Sequence, residues 1–205
     1  MPVLNRELLQ KMLAAATAVI ESNVAHLNQL DSATGDGDHG TSIVKAIRAA
    51  SKSVSEAPQE QSLKEILFNA GWAVMGEDCG STSSLIGAFF MGMSEAATSD
   101  ELDDAAAIAL FVGGLAGISK QTKAKVGDKT LMDALIPAVE AMQKKSDLKT
   151  ALDAAASAAM RGAESTQDLV AKFGRAKNLG ERSVGHLDAG AISIALIFEA
   201  FAKSL

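Results

Sequence analysis

Apolar residues recur at helical spacing along almost the whole chain. Over residues 4–30, Leu8, Leu9, Met12, Leu13, Val19, Ile20, Val24, Leu27 and Leu30 line one face, which predicts one long amphipathic helix. A second helix is predicted over about 41–54, ended by Glu56-Ala57-Pro58, and a third over about 61–75 with Leu63, Ile66, Leu67, Ala70 and Val74 inward. The fourth is expected over about 85–97. Thr98-x-x-Glu101 has the form of a capping box and predicts the start of a fifth, running to about 119. A sixth follows Thr130 with Pro137 in or near its first turns. A seventh begins at Asp147 or Thr150 and extends towards Val170, and the last spans about 191–202. No stretch alternates convincingly enough for a strand.

Eight helices joined by short connections predict an all-α antiparallel bundle, with residues 1–205 as a single domain. In that topology alternate connections gather at one end. The four that follow odd-numbered helices, residues 31–40, 76–84, 120–130 and 173–190, are also the four that carry the chemistry-bearing residues.

Composition narrows the function. Hydrophobic residues make up 48% and aromatics 4%, which suits Ala- and Leu-rich helices in close contact. The net charge of -6 argues against a nucleic-acid module that works by neutralising phosphates. Cys79 is the only cysteine, so an internal disulfide and zinc-finger spacing are both excluded, and an inert thiol is expected. Arg6, Glu7 and Lys11 interrupt any signal-peptide pattern over residues 1–11. The longest apolar run, residues 105–118, is too short to span a bilayer and predicts a buried core helix. A soluble cytoplasmic protein without membrane contact is the expectation.

The candidate chemistry centres on Asp31-Ser32-Ala33-Thr34-Gly35-Asp36-Gly37-Asp38-His39-Gly40-Thr41-Ser42. Asp31 falls near a helix C-terminus, where the macrodipole disfavours a carboxylate, and Asp36 and Asp38 alternate with glycines. Such a cluster suits a hard cation that keeps positions free for phosphate, although a solvated Gly-rich turn fits the same residues. Gly35-x-Gly37-x-x-Gly40 formally matches a dinucleotide fingerprint, but a helix rather than a strand precedes it. Neither a P-loop nor a Gly-x-Ser-x-Gly elbow is present. Ser81, Thr82, Ser83 and Ser84 supply hydroxyls before a helix start, an anion-binding arrangement or an ordinary cap. Residues 173–190 are Arg-rich, suited to phosphate or simply to solvent. His39 and His186 fall in candidate site loops, His26 is expected to be structural, and Lys123, Lys125 and Lys129 are expected to be exposed.

These residues resemble a known family. Gly35-Asp36-Gly37-Asp38-His39-Gly40, Gly127-Asp128-Lys129-Thr130, and Gly174-Arg175 through Leu179-Gly180-Glu181-Arg182-Ser183-x-Gly185-His186-x-Asp188-x-Gly190 are similar to the nucleotide-binding L subunit of bacterial dihydroxyacetone kinases. That subunit also occurs as the C-terminal domain of single-chain homologues, and the resemblance covers nearly the whole chain. It implies an eight-helix antiparallel barrel with an ATP or ADP site at one end. It makes Asp31, Asp36 and Asp38 the Mg²⁺ ligands, with His39, Gly40, Thr41, Ser42, Ser81 and Thr82 lining the nucleotide. Leu131 would lie beside adenine or ribose, and Arg175, Asp188, Ala189 and Gly190 would close the pocket.

The implied reaction is in-line phosphoryl transfer to dihydroxyacetone, or to a related ketose such as a tetrulose, held on a partner K subunit. No catalytic residue is firmly assigned to this chain. Family members either exchange ATP or keep ADP that a phosphotransferase-system protein recharges. A regulatory protein without turnover is the other class, since L subunits in the ADP state can bind a transcription factor. Ser83-Ser84, Gln121-Thr122, Leu131, Ser42 and Ala189 depart from the usual family residues. They bear on sugar and donor more than on the metal triad. The sequence leaves the oligomeric state open, a homodimer included.

Overall fold

The long apolar face at the start of the chain folds as α1 (Arg6–Ser32), burying Leu9, Met12, Leu13, Ala16, Ile20 and Leu27. Asn5 starts it, its side chain accepting from the Leu8 N–H at 3.1 Å. This computed structural model describes residues 4–205. Residues 1–3, part of the stretch in which no signal peptide was expected, lie outside the described residues. Downstream come α2 (His39–Ser55), α3 (Leu63–Met75), α4 (Ser81–Ala96), α5 (Asp104–Ser119), α6 (Met132–Met142), α7 (Leu148–Ser165) and α8 (Ala189–Lys203). Two 3₁₀ segments, Thr166–Asp168 and Arg175–Ser183, lie between α7 and α8. The protein is all-α, as expected. Among the described residues the only β feature is an isolated Leu4–Leu102 bridge.

Each helix packs on the next in sequence, and α8 returns to α1, so the helices close into a ring. Connections of 5 to 12 residues join α1 through α7 and make those packed neighbours antiparallel. The longer α7–α8 connection, residues 166–188, brings α8 back onto α7 and α1. The apolar run over 105–118 is the core helix α5, and no helix among the described residues is long and apolar enough to cross a membrane. The other strongly apolar helix is α8, buried at Ile192, Ile194, Ala195, Ile197, Phe198 and Phe201. Phe198 and Phe201 reach Phe111 of α5 at centroid distances of 5.9 and 6.2 Å. Each buried Leu, Ile or Phe side chain contributes about 1.5–3 kcal/mol relative to exposure, so this helix is firmly fixed in the interior.

Small residues set the spacing of the ring. A Cβ on Gly162 of α7 would collide with the Asp133 carbonyl oxygen of α6 and lie 3.2 Å from the Ala134 Cα. Pro137, inside α6, has no N–H to offer that carbonyl. The bare glycine backbone therefore packs directly on a carbonyl that α6 itself leaves without its usual partner.

Three helix limits differ from those the sequence predicts. The fifth helix starts at Asp104, not Thr98, with the Asp103 side chain accepting from the Ala106 N–H at 2.9 Å. The intervening residues are committed elsewhere. Leu102 exchanges main-chain hydrogen bonds with Leu4 at 2.8 and 3.1 Å, and the Asp100 carboxylate accepts from the Leu63 N–H at 2.7 Å. A capping box does occur, between Ser62 and Glu65 at the start of α3. The seventh helix ends at Ser165, where the chain tightens into the first 3₁₀ turn. Ser81 to Ser84 form the first turn of α4 rather than a loop, because Gly80 makes the sharp bend alone, at φ 57°.

Candidate functional site

Asp31 occupies the last turn of α1, and its carboxylate organises the loop that follows. Oδ2 accepts from the Gly37 N–H at 2.8 Å and the Asp38 N–H at 3.0 Å. Gly37 turns there with φ 78°. The loop is thereby folded back, and one carboxylate oxygen from each of Asp31, Asp36 and Asp38 lies within 4.8 Å of the others. Asp38 also stands at the N-cap of α2 without making a side-chain cap bond, which leaves its oxygens uncommitted. The donor set consists only of carboxylates, partly or fully exposed, and suits a hard divalent cation of the Mg²⁺ class rather than zinc. Across the loop, Arg175 forms an ion pair with Asp36.

His39 is the first residue of α2, with Nε2 3.0 Å from Ser193 Oγ of α8. Ser193 donates its own proton to the Gly190 carbonyl at 2.8 Å, so the imidazole is the donor through Nε2–H. Burial pushes His39 below its ordinary pKa, with Asp31 partly opposing. A neutral ring in that tautomer leaves Nδ1 as an acceptor. Gly40 allows the first turn of α2 to meet the Val24 carbonyl of α1. The Thr41 N–H donates to Asn28 Oδ1 at 3.1 Å, and Thr41 Oγ1 accepts from Asn28 Nδ2 at 3.2 Å. Ser42 follows in the same turn, half-buried.

Ser81 and Thr82 open α4 directly after Gly80, with no side chain capping the helix. The Thr82 N–H donates to the Cys79 carbonyl at 3.2 Å, and no side chain claims the other N–H groups of that turn, which can face an anion. Cys79, just before them, is buried, and burial raises its thiol pKa. That agrees with an inert cysteine. Lys45 lowers that pKa and Asp38 raises it, so the charge of the aspartate loop reaches this connection.

The third wall is made by the starts of α6 and α8. Asp188 caps α8, accepting from the Ala191 N–H at 2.7 Å, while its own N–H donates to Thr166 Oγ1 at 2.9 Å. Burial raises the Asp188 carboxyl to about 7; Asp133 and Asp31 push the same way, and Ala191 and Lys129 oppose. Ala189 is buried in the first turn. A Cβ on Gly190 would lie 3.3 Å from Leu131 Cβ, so Leu131 and Gly190 face each other in contact.

All the sequence-predicted residues thus fall at the end of the ring where odd-numbered helices finish, though not all in the expected way. Ser81, Thr82, Ala189 and Gly190 lie within helical first turns, not loops. Lys123 and Lys125 are exposed as expected, but Lys129 is buried, its Nζ donating to the Thr166 and His186 carbonyls. The His186 side chain is exposed, and only its carbonyl is engaged. His26 is an exposed residue of α1, about two turns before the helix ends. Asn28, Ser193 and Thr166 support the site and were not singled out in the sequence. They lie mid-helix or at a helix end, with no glycine or charge pattern around them to mark them. A separate recess beside Phe68, lined by Gln61, Lys64, Glu65, Asn69 and Ser94, contains none of the candidate residues.

The model of the DAK2 domain matches residues 33–203. A PEP-dependent dihydroxyacetone kinase ADP-binding subunit from Listeria innocua is 34% identical over 185 residues, covering 90% of this chain and 89% of the relative. An L-erythrulose 1-kinase from Mycolicibacterium smegmatis is 34% identical over 191 residues, 91% of this chain but 34% of the longer relative. The crystal structure of the dihydroxyacetone kinase from C. freundii in complex with AMP-PNP and Mg²⁺ superposes with a TM-score of 0.73 at 29% identity. All of this chain is covered there, and it spans 35% of that kinase's length.

Proposed function

The chain belongs to the DAK2-domain family, and from that premise we propose that it is the Mg²⁺–nucleotide-binding subunit of a dihydroxyacetone-type kinase. The observation that carries this reading is the convergence of Asp31, Asp36 and Asp38 with the Arg175 guanidinium on Asp36, within electrostatic reach of the connection that leads into the uncapped start of α4. Carboxylates alone would repel phosphate. Carboxylates that hold a divalent cation, with helix N–H groups and an arginine around them, form a polyphosphate seat.

In this reading the three aspartates hold Mg²⁺, which when bound neutralises charge on the phosphate oxygens during transfer. The N–H groups of the first α4 turn, with the Ser81 and Thr82 hydroxyls, receive the phosphates. Arg175 exchanges Asp36 for a phosphate oxygen. His39, Gly40, Thr41 and Ser42 line the phosphate side, while Leu131, Asp188, Ala189 and Gly190 enclose the nucleoside side. The ketose is held by a partner K subunit, so this chain positions and neutralises rather than supplying a general base. The ADP-binding, PEP-dependent naming of the full-length Listeria relative supports ADP as a resident cofactor recharged by a phosphotransferase-system protein. Comparable identity to an erythrulose kinase keeps a four-carbon ketose as the second reading of the acceptor. The setting proposed is the cytoplasm.

The test is titration of the purified chain with ADP and ATP, with and without Mg²⁺, beside Asp36→Asn. Nucleotide affinity that depends on Mg²⁺ and is abolished in the variant, with helicity unchanged, is the expected result. Unchanged affinity in Asp36→Asn would remove the metal assignment.

A further inference from the structure

Among the described residues the charged residues with almost no solvent exposure are Asp128, Lys129 and Asp133, all in the α5–α6 connection or the first turn of α6. Lys129 is the one cation of the three. A buried ammonium is unfavourable unless it is paired and hydrogen-bonded, and here its partners come from distant parts of the chain. Nζ donates to the main-chain carbonyls of Thr166 and His186, which are 37 and 57 residues further on. Lys129 also adopts left-handed backbone with φ 59°, unusual for a side chain of its size. Asp133 holds the turn in that form by accepting from the Gly127 and Thr130 N–H groups at 2.7 Å each.

These bonds converge on one wall. Leu131 lies two residues beyond Lys129, and Asp188 lies two residues beyond His186. Thr166 holds the same segment a second time, because its Oγ1 accepts from the Asp188 N–H at 2.9 Å. A single ammonium therefore ties the end of α7 and the approach to α8 to the turn that presents Leu131. Across that junction Leu131 and Gly190 are in contact. The carboxylates whose charges act on Lys129 are Asp188, Asp133 and Asp168, none of them from the Asp31, Asp36 and Asp38 cluster.

We infer that Lys129 is a positioning residue that holds Leu131 against residues 188–190, and so sets the seat of the nucleoside part of the ligand while leaving the metal–phosphate part alone. This rests on the nucleotide reading above. It follows that loss of the ammonium loosens one side of the site selectively, which a general structural role would not do.

The test compares wild type with Lys129→Met, using three probes on the full chain: Mg²⁺–ADP, Mg²⁺–pyrophosphate and Mn²⁺ alone. Lys129→Gln, whose amide keeps N–H donors for the carbonyls, carries the same comparison if Lys129→Met fails to fold. The expected result is Mg²⁺–ADP binding weakened by about tenfold or more, with pyrophosphate and Mn²⁺ affinities within about twofold of wild type. Equal weakening of all three probes would overturn the inference, as would unchanged ADP affinity or loss of helical structure in both variants. A wild-type chain that binds no Mg²⁺–ADP would remove the nucleotide reading and this inference with it. Wild-type binding with unaltered variants would remove this inference alone.

Discussion

Replacing Arg175 by alanine should move two affinities in opposite directions while barely touching stability. The side chains of Arg175 and Asp36 are 66% and 41% exposed, and ion pairs with that much solvent access contribute about 0–1 kcal/mol to folding. Arg175→Ala should therefore cost less than about 1 kcal/mol in urea denaturation. Without nucleotide, the guanidinium competes with a cation for Asp36. Its removal should tighten Mn²⁺ binding to the empty triad by up to about fivefold, and high salt should shrink the gain. With nucleotide, a charge-assisted hydrogen bond to phosphate is lost, worth about 1–3 kcal/mol, or roughly 5- to 150-fold in affinity. Calorimetric titration of wild type and Arg175→Ala with Mn²⁺, then with Mg²⁺–ADP, reads both effects. Affinities that fall together would mean that Arg175 supports the loop rather than the ligand. No change in either would remove Arg175 from the site.

Asp188 makes a prediction about pH. Its folded pKa of about 7 lies above the ordinary 3.8, so the folded state keeps a proton that the unfolded chain releases. Its contribution is fully present below about pH 4 and is lost as pH rises towards 7, on the order of 4 kcal/mol at most. Asp188→Asn keeps an oxygen for the Ala191 N–H and should flatten the fall in urea midpoint between pH 5 and 7.5; the same slope in both proteins would contradict the assignment. Gly162→Ala should destabilise the fold by about 1–3 kcal/mol, since its Cβ has no room against the Asp133 carbonyl and α6 and α7 must separate. A neutral or stabilising effect in chemical denaturation would mean that the two helices are not that close.

The helices were legible because their signal is local. The face from Leu8 to Leu27 repeats often enough to fix α1, and the Ala105 to Ile118 run declares a buried α5. The aspartate cluster was legible for a related reason, since its three carboxylates lie seven positions or fewer apart. Helix starts were harder. Ser81 to Ser84 look like a loop, yet hydroxyl residues tolerate a first turn when a glycine takes the bend before them. Thr98 and Glu101 have capping-box spacing, but Leu4, 94 residues or more away, and Leu63 claim the surrounding groups. Lys129 was misread for the same physical reason. A lysine in a Gly- and Lys-rich loop reads as exposed, and its burial is created by carbonyls of segments that sequence proximity does not connect to it. Long-range hydrogen bonding leaves no periodic trace.

The most direct test of the proposed function is to purify the chain in Mg²⁺, denature it and identify what is released. Stoichiometric ADP is the expected result, and it would establish both the site and a resident cofactor. A chain that emerges empty and then takes up neither Mg²⁺–ADP nor Mg²⁺–ATP would contradict the nucleotide site itself.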